Sequence, residues 1–468
     1  PPPLYTETFE KRTTVRRHQE KCTTPLQDSR GASPKGEARR ERAAKAERSE
    51  CRGGRITGGG GRGGVNEPNP AAHPRLVGTT SAAATGRPPA PCYRPCVSRP
   101  RHHVVLVPGL FGFAKLGGFD YFMHVEEALA SRFMERGADC EFVLVSSPPT
   151  GSIVYRTEVL MDAIQQSCAD DAGAIHLVGH STGGLDVRLL ASPSAWPDLP
   201  DWFDRVRTVT SIATPHYGTP LAYFFTTLAG TRLLEALSLL TYITLRAGGP
   251  PLTFLTPLIA ALGSVDRVFG IELKALERAT DLLLRFLDDE GQTEVREWFA
   301  GIHSDQGAII QLTPESMDIF NAGVEDNPNV RYGSIVTRMP PPGPVRLIRD
   351  LRSPIQALSA AVFSTLHVGA GRTSRVYPPP NPSPEVHEYL ARRLAVEIDN
   401  SLNDGLVPTI SMVWGEVLWA GTADHLDVLG HFHGDRDSSH TDWMVSGAGF
   451  REDDFDEAMD ALADFQLS

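Results

Sequence analysis

The sequence predicts an α/β protein built on a mostly parallel, doubly wound sheet. Two observations predict it. From residue 101 onward, short β-branched apolar runs alternate with amphipathic stretches of helix length. Where the pattern is clearest, a run ends in a turn that contains Gly or Pro.

Val104-Val105-Leu106-Val107 is the first buried strand and ends at Pro108-Gly109. Residues 124–136 follow as a helix, with Val125, Ala128, Leu129 and Phe133 at helical spacing. Phe142-Val143-Leu144-Val145 is the second strand and residues 154–167 the second helix. Ile175-His176-Leu177-Val178 is the third strand, residues 185–190 begin a third helix, and residues 206–212 form the fourth strand. Right-handed crossovers between such strands make them parallel, and ligands then sit at their carboxyl ends.

Near Thr214 the alternation stops. Residues 221–320 read as a helical insertion or lid with a large apolar face. Its apolar stretch 233–245 is interrupted by Glu235 and flanked by Arg232 and Arg246, so it does not read as a membrane span. A strand-like pattern returns at 330–336. Residues 340–384 read as loop with a short helix near 354–363, and a helix over 384–397 leads to the last motifs.

Before position 101 the chain is a different object. Residues 1–100 hold nineteen Lys and Arg against nine Asp and Glu, whereas the remainder carries a net charge of −22. This basic arm is dominated after residue 24 by Gly, Pro, Ala, Ser and Arg, with few large apolar side chains to offset the entropy of ordering. It reads as a disordered extension, and no nucleic-acid partner is expected. Nothing near the start reads as a secretory signal. The six cysteines form no metal-ligand pattern, and Cys140 and Cys168 fit either a disulfide or two small buried residues.

Chemistry concentrates in four places. Gly179-His180-Ser181-Thr182-Gly183 lies between a strand and a helix, the setting in which a tight turn exposes a serine hydroxyl above the sheet. A serine nucleophile needs a base, and the base needs a carboxylate to hold its tautomer. Asn403-Asp404-Gly405-Leu406-Val407-Pro408 offers the acid and Asp424-His425-Leu426-Asp427 the base. Asp399 and Asp424 remain alternative acids, and His431, His433 and His440 alternative bases. Two amides, those of Leu110 after the first strand and of Thr182 after the serine, are the candidate oxyanion donors.

Val-Pro-Gly-Leu-Phe-Gly-Phe, Gly-His-Ser-Thr-Gly-Gly, Thr-Pro-His-Tyr-Gly-Thr-Pro, Asn-Asp-Gly-Leu-Val-Pro and Asp-His-Leu-Asp occur in that order within residues 101–450. Together they resemble the bacterial true lipases, the triacylglycerol lipase branch of the α/β-hydrolases. The resemblance implies Ser181 as nucleophile, Asp404 as acid, His425 as base, and Leu110 and Thr182 as oxyanion donors. It implies a lipid or ester substrate and transient contact with a lipid surface. Short-chain esterase, thioesterase and acyltransferase readings share the same residues, and a silent hydrolase-fold binding protein is the non-enzymatic alternative.

Two departures stand out. Such lipases usually carry His where this chain has Pro108, so the oxyanion loop needs other support. Many also bind a structural calcium through an Asp in the place of Asp427. No second carboxylate ligand stands out, so Asp427 reads as a loop or capping residue, with a structural calcium ligand as the alternative, and no cofactor is required for the chemistry.

Overall fold

A computed structural model describes residues 101–468 apart from 111–114, 117–118, 170, 248–272, 286, 342–353, 373–375, 435–439, 441 and 443–445. The basic arm, part of the insertion and Phe111 to Phe113 of the oxyanion loop therefore lie outside the described residues. Six strands form one sheet: β1 (Arg101–Val107), β2 (Asp139–Leu144), β3 (Ala174–His180), β4 (Val206–Ile212), β5 (Arg331–Arg338) and β6 (Glu416–Thr422). Their spatial order is β2-β1-β3-β4-β5-β6, and every pairing is parallel.

This order has one switch point. The chain leaves β1 for one side to build β2, then crosses to the other side for β3 and all later strands. A crevice therefore opens between the carboxyl ends of β1 and β3. Val107 pairs with Gly179, so the loop leaving β1 emerges beside the turn leaving β3.

Both sheet faces are covered, which is why β1 reads as a continuous apolar run. Val104 and Leu106 share a core with Val125, Leu129 and Phe133 of α1 (Met123–Glu135). Val105 and Val107 face the other way, toward Leu160 and Ile164 of α2 (Ile153–Cys168) and Val187 and Leu190 of α3 (Gly183–Ala191). Ser152 starts α2 by accepting the Tyr155 amide.

The helix over Glu452–Leu467 closes the α1 face and was not anticipated. Phe455, Ala458, Met459, Leu462 and Ala463 bury its apolar stripe. Arg132 and Arg136 also reach its Asp456, Asp460 and Asp464, but those acids are 52–67% exposed. Exposed pairs contribute little, so burial holds this helix.

The insertion is helical in its described parts, as Leu221–Phe225, Leu228–Ala247, Leu273–Leu284, Asp289–Ser304, Gly307–Gln311 and Pro314–Gly323. Glu235, 1% exposed, ties two of these helices together through His303, with Nε2 2.6 Å away. Among the described residues no helix is long and apolar enough to cross a membrane. The helix expected near 354–363 runs on to Ala370. Cys140 and Cys168 are not joined in a disulfide, which removes that alternative, and Cys168 is buried.

Several histidines are buried where charge is costly. Burial pushes His176 down to about 3 and His431 to about 4, and holds His180 and His216 well below their ordinary range. Burial also raises Asp186 and Asp424 to about 6.

Two outcomes are expected. Leu462→Ala removes a fully buried side chain between helix and sheet, and should lower the stability read by urea unfolding by about 2–5 kcal/mol. Between pH 7 and 6 the unfolded chain protonates histidines that the folded chain keeps neutral, so stability falls on acidification. Asp186 and Asp424 take up protons in the folded state near pH 6 and offset only part of this. A urea midpoint that rises from pH 7 to 6 would contradict the neutral burial of these histidines.

Candidate active site

The turn after β3 places Ser181 in a left-handed backbone conformation, φ 54°. Its amide donates to the Ile212 carbonyl at the end of β4 (2.8 Å), and its carbonyl accepts the Gly184 amide (3.0 Å). The turn is tight enough that a Cβ on Gly179 would overlap the Gly183 carbonyl. From Gly183 the chain enters α3, all nine residues of which are buried.

Asp404 and His425 come from loops after β5 and β6, and the structure brings them together. His425 Nδ1 lies 2.7 Å from Asp404 Oδ2. Asp404 is fully buried. Its Oδ1 accepts the Leu406 and Val407 amides (2.9 and 2.8 Å), and its Oδ2 also accepts the Thr337 hydroxyl (3.0 Å). These donors leave the carboxylate one orientation, with its remaining acceptor site facing the imidazole. The His425 ring packs against His180, the residue before Ser181, with centroids 4.7 Å apart.

The alternative acids and bases are engaged elsewhere. Asp399 caps its own turn through Ser401 and Leu402. Asp424 accepts the Leu426 and Asp427 amides. His431 bonds the Tyr121 carbonyl and His440 the Gly430 carbonyl, while His433 is exposed.

The loop after β1 runs directly over the serine. A Cβ on Gly109 would stand 2.7 Å from Ser181 Cβ and 3.3 Å from Oγ, so only glycine allows this approach. Among the described residues, neither the Leu110 nor the Thr182 amide meets a protein acceptor. The support that Pro108 cannot supply comes from residues that were not singled out in the sequence. Arg156 Nη2 donates to the Pro108 carbonyl (2.7 Å), and Arg156 is paired with Asp186 at 2.8 Å, both side chains fully buried. Burial raises Asp186 and the Arg156 charge works against that rise. On the other side of the loop, the Tyr121 hydroxyl meets His180 Nδ1 at 2.7 Å.

The calcium position can be tested against its donors. Asp427 Oδ2 accepts the Asp424 amide (2.9 Å), which makes Asp427 a capping residue of its own loop. Burial and the neighbouring Asp424 and Asp442 push its carboxyl well above the usual range. Among the described residues, Asp424, Asp427 and Asp442 are not a group whose three ligand atoms all lie within 4.8 Å of one another. The group that does meet this spacing, His103, Glu141 and Asp171, lies at the amino ends of β1 and β2, away from Ser181. There Asp171 is already bonded by His103, Arg101 and Arg205.

Comparison with known proteins adds a partial likeness. No family model matches the chain. Over 123 residues it is 37% identical to a triacylglycerol lipase of Vibrio cholerae serotype O1, covering 26% of this chain and 35% of that protein. Over 122 residues it is 31% identical to a triacylglycerol lipase of Pseudomonas fragi, covering 26% and 37%. The chain thus spans a little over a third of the length of the curated relatives it matches. Among solved structures, Staphylococcus hyicus lipase aligns with 79% of this chain and 98% of its own, at 16% identity and a TM-score of 0.42. EstA from Clostridium botulinum aligns with 75% and 86%, at 19% identity and a TM-score of 0.39. The chain is similar to these triacylglycerol lipases over the matched stretch, and its own body is a six-stranded parallel sheet with a strand-to-helix turn at Ser181.

Proposed function

We propose that the chain is a serine carboxylic ester hydrolase acting on acylglycerols or similar long-chain esters. The observation that carries this reading is the His425–Asp404 hydrogen bond, buried beside a serine held on a strained strand-to-helix turn. His425 Nδ1 is committed to Asp404, so Nε2 is the nitrogen left to take a proton. In the proposed reaction Ser181 Oγ attacks the ester carbonyl as His425 Nε2 removes its proton. The Leu110 and Thr182 amides stabilise the oxyanion, and His425 then protonates the departing alcohol. Water, activated by the same imidazole, releases the acid from Ser181. No step uses a metal.

The insertion supports an apolar substrate. Leu228, Ile310 and Ile319 are 62%, 55% and 76% exposed on or beside it. Apolar surface of this kind suits transient contact with a lipid aggregate. The relatives named triacylglycerol lipase point the same way.

The full chain should hydrolyse p-nitrophenyl esters with rates that rise from acetyl toward palmitoyl. Ser181→Ala should lower turnover by on the order of a million-fold, and Asp404→Asn by about ten-thousand-fold. Activity confined to short esters would demote the insertion to a scaffold. Failure of the wild-type serine to react with a fluorophosphonate probe would favour a silent binding protein instead.

A further inference from the structure

Tyr121 lies 59 positions before its main partner, His180, and is 4% exposed. Its hydroxyl oxygen heads a chain of hydrogen bonds that ends on the backbone of His425. That oxygen lies 2.7 Å from His180 Nδ1. On the far side of the ring, His180 Nε2 lies 2.8 Å from the His425 carbonyl.

The chemistry of these groups allows one proton arrangement. A carbonyl only accepts, so His180 Nε2 must carry a hydrogen. His180 is fully buried, which disfavours a second ring proton. Nδ1 is then a lone pair, and Tyr121 must donate its O–H to it.

We propose that Tyr121 is a positioning residue of the acyl-transfer site, its hydroxyl fixing the His180 tautomer and, through His180, holding the backbone of His425. The proposal rests on the functional reading above. His180 Nε2–H holds the His425 carbonyl, while Asp404 holds the His425 ring at Nδ1. The imidazole is thereby pinned from both its backbone and its ring. Nearby, Arg156 donates to the Pro108 carbonyl of the loop after β1. The aromatic ring itself packs edge-on against Phe122, centroids 4.9 Å apart, so removing only the hydroxyl leaves the packing in place.

The test is Tyr121→Phe in the full chain, alone and combined with His180→Gln, with Ser181→Ala as the blank. Steady-state hydrolysis of a p-nitrophenyl ester should show kcat lowered by about 10- to 100-fold with KM within about twofold, the mark of misplaced groups rather than lost binding. Because the two side chains act through one another, the double variant should lose little more than His180→Gln alone. Nitrogen-15 spectra of histidine-labelled protein should show His180 as the Nε2-protonated tautomer in wild type, with its Nδ1 resonance moved in Tyr121→Phe.

Three results overturn the proposal: wild-type kcat in Tyr121→Phe, fully additive losses in the double variant, or the Nδ1-protonated tautomer in wild type. If Tyr121→Phe does not fold, His180→Gln decides alone, since an unchanged kcat there would sink the idea. A wild type without Ser181-dependent hydrolysis overturns the functional reading and this proposal with it. That outcome is distinct from failure of the proposal by itself, in which wild type is active and Tyr121→Phe equals it.

Discussion

Everything at this site depends on one strained residue. Ser181 is a non-glycine residue at φ 54°, a conformation that costs on the order of 1–3 kcal/mol. Such strain persists only where the surroundings over-determine it. Here the Ser181 amide is held by the end of β4, its carbonyl starts the next helix, and that helix is buried along its whole length. The glycines around the turn follow from the same geometry, because the strand, the helix and the loop after β1 approach one another too closely for side chains at Gly179 and Gly109.

Once the turn is fixed, the remaining groups are placed by hydrogen bonds inside a nearly dry volume. Ser181, Asp404 and His425 are 9%, 0% and 4% exposed, and in such surroundings an unpaired polar group is expensive. The observed answer is near-saturation. Asp404 accepts four hydrogen bonds, and His180 uses both ring nitrogens. A saturated network has few alternative arrangements, which is how a polar site in a core becomes rigid. The Arg156–Asp186 pair is of the same kind. Removing one partner would strand a buried charge at a cost of about 3–5 kcal/mol, so its observed service to the Pro108 carbonyl comes with a strong constraint on sequence.

What the sequence showed and what it concealed follow from the range of the interactions. Strands β1 to β4 and the helices between them were legible because both sheet faces are covered, leaving apolar runs such as Val104 to Val107. Strand β6 was missed because it lies at the sheet edge and starts at an exposed Glu416, so its run is broken by partly exposed positions. The last helix was hidden by its acids, although Phe455, Met459 and Leu462 carry a helical stripe. The helix from Pro354 runs beyond the expected 363 to Ala370, through the poor helix formers Val368 and Gly369, because packing of Leu366 and Ala370 in the core overrides that local preference. Ser181, Asp404 and His425 were legible through short motifs. Tyr121, Arg156 and Thr337 were not, since each acts on a partner 48 to 67 positions away in sequence. The one available signal was His180, a titratable residue next to the serine whose role no local pattern explains.

The departure at Pro108 shows how such hidden partners work together. Proline has no amide hydrogen and, unlike histidine, no side-chain nitrogen, so position 108 can hold its loop only through its carbonyl. That carbonyl is taken by Arg156, which comes from the α2 face and is itself paired with the buried Asp186. A loop held through its backbone by a buried ion pair is oriented by the fold, and a side chain at position 108 is then not needed to hold it.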